Sequence, residues 1–202
     1  MQTRIMLPFF LLATITSSIT ADTIKVTFNT PKSWRGETIT LPPGFAKNMA
    51  VKGIEEIRFM PGMFKSDQQD FFSYALVFCL PKQKPLEKAA IHSELLKYYR
   101  GLATTVARGK KLKIDPDKFT LAITATKDKP GQYIGTLKWI EPFATGKAQT
   151  LRMEIKAGTC PNINASYLSM AVSPQTPKHE LWKALRKALA SVTYKNSDAA
   201  KN

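Results

Sequence analysis

Carboxylates are the residues of this sequence best placed to do chemistry. Glu37 follows Trp34-Arg35-Gly36, and Glu55-Glu56 precede Arg58. Two carboxyl groups flanking one bond are the acid and base of glycoside hydrolysis. Among 15 Asp and Glu residues such neighbours also arise as surface ion pairs. Tyr98-Tyr99, Trp34 and Trp139 can line a sugar or lipid pocket, and can equally pack a core. His92 and His179 are the two histidines. With no Gly-x-Ser-x-Gly elbow, neither is set against a nucleophile, and both read as boundary residues. There is no Gly-rich phosphate loop and no His-Glu-x-x-His. The sequence therefore singles out no catalytic residue, implies no cofactor and supplies no metal site.

Cys79 and Cys160 are the two cysteines, with no Cys-x-x-Cys. In an exported protein an even pair is a disulfide candidate. Closing a loop of about 80 residues contributes roughly 4–5 kcal/mol in the chain-entropy view. Two separate buried thiols are the alternative, because Cys also behaves as a small apolar residue.

The stretch Gly53-Ile-Glu-Glu-Ile-Arg-Phe-Met-Pro-Gly-Met-Phe64, followed by Asp70-Phe-Phe-Ser-Tyr-Ala75, resembles a motif of an uncharacterised family of exported bacterial proteins. The resemblance covers residues 34 to 80. It implies export and a bacterial origin and brings no activity with it. Within the motif, Glu56, Arg58 and Tyr74 are the candidate ligand-binding residues. Their alternative use is to set a turn and a strand pairing.

Export is also written into the N-terminus. Arg4 precedes the mainly apolar run Ile5–Ile15, then Thr16-Ser17-Ser18 and a small residue at Ala21. This is a secretory signal peptide over residues 1–21, with cleavage after Ala21. The run is too short for a bilayer span, which takes about 20 apolar residues. The chain is expected to be periplasmic or secreted, with no transmembrane segment.

Composition limits the partners. The net charge is +15, but 23 lysines face only 7 arginines, and they are spread along the chain. Arginine is the better group for bidentate phosphate and base contacts, so specific nucleic-acid binding is not expected. A solvated basic surface, or loose attraction to an anionic envelope surface, accounts for the charge.

The elements that must position these residues follow from periodicity. Asp22–Phe28 alternates as a half-buried strand, and Gly53 opens a second strand candidate, Ile54–Phe59. Phe71–Leu80 is apolar on both faces and reads as a central strand. Pro85 opens a helix in which Ile91, Leu95, Tyr98, Leu102 and Val106 share one face, and Gly109 ends it. Four alternating segments follow, containing Leu121, Leu137, Leu151 and Leu168, and short turns make them an antiparallel meander. Thr176 and Pro177 begin a closing helix with Leu181, Trp182, Leu185 and Leu189 on its apolar side.

The expected fold is α+β: a largely antiparallel sheet with a four-strand meander, covered on one face by two amphipathic helices. Residues 22–195 form a single domain and 196–202 a flexible tail. The arrangement is similar to helix-on-sheet sandwiches such as those of extrinsic photosynthetic subunits, an analogy that says nothing about role. The favoured function is a non-catalytic ligand- or envelope-binding domain holding an apolar or anionic ligand. A carboxylate-dependent hydrolase of envelope or extracellular polymers is the alternative. A hydrolase needs acids converging in an open cleft with one pKa shifted; a binder needs an apolar pocket with few ionisable groups. Intact mass of the exported chain checks the two covalent expectations. It should begin at Asp22 and fall two hydrogens short of the dithiol; retention of Met1–Ala21 overturns the first.

Overall fold

Tyr74–Leu80 is buried at every position, and the architecture is arranged around that strand. The computed structural model describes residues 24–161 and 163–196. The expected signal peptide and residues 197–202 of the expected tail lie outside them.

The strands are β1 (Ile24–Thr27), β2 (Arg35–Leu41), β3 (Gly53–Phe59) and β4 (Tyr74–Pro81), then β5 (Thr120–Ala125), β6 (Gln132–Ile140), β7 (Ala148–Thr159), β8 (Ala165–Ser173) and β9 (Thr193–Asn196). Helix α1 (Lys88–Gly109) lies between β4 and β5, and α2 (Leu181–Ala190) between β8 and β9. Seven strands form one sheet in the order β2-β3-β4-β8-β7-β6-β5, antiparallel throughout. The protein is thus α+β, and β5 to β8 pair successively as a meander. β1 and β9 pair apart from the large sheet.

Alternate residues of a strand point to opposite faces. On β4, Tyr74, Leu76, Phe78 and Leu80 join a core with Ile91, Leu95 and Tyr99 of α1. Ala75, Val77 and Cys79 join another with Leu181, Trp182 and Leu185 of α2 and Ile24 and Val26 of β1. The helices therefore cover opposite faces, which corrects the expectation of two helices on one face. The reason is in β4 and β8. Both are buried on both sides, so each face needs its own cover. The second face is completed by β1, β9 and Trp182, whose indole is fully buried.

Several boundaries also differ. α1 opens at Lys88, not at Pro85, because Ser166 Oγ donates to the Lys84 carbonyl at 3.1 Å and holds that segment extended beside β8. Its last helical residue is Gly109, as expected, but the left-handed residue that follows is Lys111, with φ 56°. α2 opens at Leu181, where the backbone N–H donates to His179 Nδ1 at 3.2 Å. Thr176 instead closes a turn, its carbonyl accepting from His179 N. Asn196, expected to begin the tail, belongs to β9.

Gly101 sits in α1 where the 42–49 segment crosses it. A Cβ there would lie 2.1 Å from the Phe45 carbonyl oxygen. In a free helix Ala is favoured over Gly by about 1 kcal/mol. Here the added methyl must displace backbone, so Gly101→Ala should destabilise by about 1–3 kcal/mol, seen as a lower urea midpoint. A raised midpoint would show that the contact yields freely.

Candidate functional site

β2 and β3 pair so that Glu37 opposes Ile57 and Ile39 opposes Glu55. The strand period puts Glu37, Ile39, Glu55, Ile57 and Phe59 on the face beneath α1. Glu55 is thereby an acid in phase with apolar neighbours and is fully buried. Tyr98 reaches it from α1, its hydroxyl donating to Glu55 Oε1 at 2.8 Å.

Three loops complete the surroundings, and each is held by a carboxylate. Glu94 accepts from Ala50 N at 2.7 Å and Val51 N at 3.3 Å, fixing the segment that carries Phe45. Asp70 accepts from Gly62 N at 2.8 Å, fixing the turn that carries Met63 and Phe64. Buried Glu141 accepts from Phe143 N, Ala144 N and Thr145 N, shaping the turn that carries Phe143. Backbone N–H groups gathered on one carboxylate make a strong local anchor.

The result is a cavity of about 120 Å³ lined by Phe45, Phe59, Phe64, Phe72 and Phe143 among others, with Glu55 and Glu37 the ionisable acids on it. Phe64 packs on Phe59 at 5.8 Å and on Phe143 at 5.9 Å between ring centres. It remains 51% exposed, so the mouth of the cavity presents an aromatic ring to solvent. Tyr74 also lines it, and its hydroxyl is hydrogen-bonded to that of Tyr99 at 2.5 Å.

The three residues singled out from the motif are not brought together. Tyr74 faces the cavity. Glu56 and Arg58 lie on the opposite face of β3 and pair with each other at 2.5 Å. Arg58 also stacks its guanidinium over Phe28 at 5.3 Å, and Thr38 Oγ1 donates to Glu56. A Cβ at Gly36 would meet the Arg58 side chain at 2.3 Å, so glycine there makes room for it. This ion pair is satisfied within the protein and joins β2 and β3 to the β1 side. The acid that reaches the cavity is Glu55, its sequence neighbour. Its signal was its phase with Ile57 and Phe59, which puts a charge on an apolar face.

Of the other candidates, Trp139 is buried in the core, donating to Gln149 Oε1 at 3.0 Å, and Trp34 is half-buried beside the α2 layer. His92 bonds the Leu121 carbonyl at 2.9 Å. Cys79 and Cys160 are free thiols, both buried in the apolar cluster beneath α2. Burial, and then Cys160, push the Cys79 thiol up to about 12, so it carries no thiolate near neutral pH. A larger groove of about 640 Å³ runs along α2. Its acid, Glu154, is neutralised by a bidentate pair with Arg186 at 2.9 and 2.6 Å. Among the described residues, no helix is long and apolar enough to cross a membrane.

No family model and no curated protein matches this sequence. The solved structures similar to it at low level include two. One is cyanobacterial PsbP from Synechocystis, at 10% identity, covering 88% of this chain and 96% of that one, with a TM-score of 0.35. The other is the Ran-binding protein Mog1p of Saccharomyces cerevisiae, at 10% identity, covering 83% and 98%, with a TM-score of 0.33.

The electrostatics of the cavity centre on Glu55. Burial pushes its carboxyl up from 4.5 to about 7, with Tyr98 pulling down and Glu37 adding to the rise. Burial also raises the Tyr98 and Tyr74 phenols well above their ordinary value. Between pH 4.5 and 7 the folded protein thus holds a proton that the unfolded chain has released. Stability from this group is present at low pH and is lost as pH rises to 7, at about 1.4 kcal/mol per pH unit. The total is about 3 kcal/mol. Urea midpoints from pH 5 to 8 should show wild type losing ground to Glu55→Gln, with the variant more stable at pH 8. Parallel curves would place Glu55 in contact with water.

Proposed function

We propose that this chain is an exported, non-catalytic binding protein whose aromatic cavity beside Glu55 holds a small, mainly apolar ligand group. The observation that carries the reading is a single buried carboxyl set among aromatic walls. Ligand pockets are mostly apolar with a few placed polar groups, and this cavity has that composition. Its volume, about 120 Å³, is below the roughly 300–1,000 Å³ of drug-sized sites. It suits a small molecule or the end of a longer one.

The carboxylate-hydrolase reading has one observation in its favour, the presence of Glu37 and Glu55 on the same cavity. Two acids with divergent environments are the pattern of a general acid and its partner. Against it, Glu55 lies fully buried behind aromatic rings, whereas cleavage of a polymer requires both carboxyls to flank its bond in a cleft. The export reading also bears on the cysteines. In an oxidising compartment the Cys79 and Cys160 thiols, which share one buried cluster, would give up two protons and two electrons to a disulfide oxidant.

The test uses 1-butanol as a probe, followed by NMR. Shift changes should concentrate at Phe64, Leu102 and Phe143, and Leu102→Trp, which fills the cavity, should abolish them. Neutral and acidic oligosaccharides should not be turned over. Hydrolysis that disappears in Glu55→Gln would replace binding with catalysis.

A further inference from the structure

We propose that the group received by this cavity is cationic: an amine or alkylammonium on a short apolar stem, with its charge at Glu55 and Glu37 at the rim. The inference rests on the reading of the cavity as a binding site and names the chemistry of its ligand.

Glu55 supplies the first argument. Tyr98 occupies Oε1, but Oε2 is buried and meets no hydrogen-bond donor among the described residues. Leaving such an acceptor unsatisfied is unfavourable, and more so when it is charged. A ligand N–H entering the cavity would satisfy it with a charge-assisted bond.

The second argument is charge selection. Lys and Arg outnumber Asp and Glu by 30 to 15 in the chain. On the cavity the balance reverses, with Glu37 and Glu55 present and no Lys or Arg among its lining residues. A fatty acid or other anion would meet two carboxyls and no cation. In so basic a protein, an acidic cavity discriminates strongly between ligand charges.

The third is the walls. Aromatic faces attract ammonium groups, by about 0.5–1 kcal/mol when exposed and about 2 when desolvated. Phe59, Phe64 and Phe143 form a linked cluster at the mouth, and Phe45 packs edge-on against Tyr98 at 5.1 Å beside the carboxyl. Exposed Phe64 would cover the ligand's stem.

Binding would depend on pH. The groups facing Glu55 are Glu37 from β2, Tyr98 and Tyr99 from α1, and Tyr74 from β4. The phenols stay neutral through the neutral range, since burial raises them. Glu55 is therefore the switching group, and ligand affinity should fall about tenfold from pH 8 to pH 6 as it takes up a proton.

The experiment compares butylammonium, 1-butanol and butyrate, matched in length, by NMR titration at pH 8. Wild type should prefer butylammonium over 1-butanol by about tenfold or more and bind butyrate least. In Glu55→Gln the preference should fall to the residual, about two- to fivefold, that Glu37 supplies. Glu37→Gln, at an exposed position that tolerates change, should reduce it by about two- to fivefold, independently of whether the first variant folds. Equal or stronger binding of 1-butanol or butyrate in wild type overturns the cationic ligand and leaves the cavity a binding site. Failure of all three probes overturns both.

Discussion

From Tyr74 to Leu80, β4 is buried on both faces, and every layer of the molecule answers that requirement. A strand of this kind cannot lie at a water interface on either side without exposing apolar area worth about 25 cal/mol per Å². α1 covers one face. α2, β1 and β9 cover the other. β8, its partner, is buried in the same way. The flanking strands β6 and β7 alternate between buried and open positions, because on the second face they line the open groove beside α2.

The candidate site is built where the first layer thins toward β2 and β3. There the helix no longer packs directly on every inward residue, and three loops fill the gap with aromatic rings. Each loop is held by a carboxylate from outside the cavity: Glu94, Asp70 and Glu141. Acids in this basic chain therefore have two kinds of use. These three are satisfied by backbone N–H groups and shape the walls. Glu55 retains an unmatched oxygen, and the burial that raises its pKa destabilises the fold once it is ionised. Retained unsatisfied polarity of that kind is expected where a structure is arranged for something other than stability.

Much of the fold was legible in the sequence. The periods of Leu121, Leu137, Leu151 and Leu168 marked the meander, and the double-sided run before Pro81 marked an interior strand. Both helices were nevertheless expected on one face, because an amphipathic pattern does not say which face of a sheet it will take. Helix starts were misplaced where tertiary contacts overrode local signals, as at Lys84, held extended by Ser166. The site was partly visible: Glu37, Glu55, Tyr98 and Tyr74 all stood out by residue type. Choosing Glu56 and Arg58 over Glu55 was a matter of one residue of phase, and in a strand one residue is the whole difference between faces.

By itself the sequence determined the class of fold, the strand at its centre, the excess of positive charge and the pair of cysteines. These are properties of composition and of short periods, which act along the chain. Only tertiary structure decided that the two helices lie on opposite faces, that Cys79 and Cys160 share one buried cluster, and that Glu55 rather than Glu56 is enclosed by Phe45, Phe64 and Phe143. Those facts depend on which distant segments meet, and segments from four parts of the chain must converge before the cavity exists.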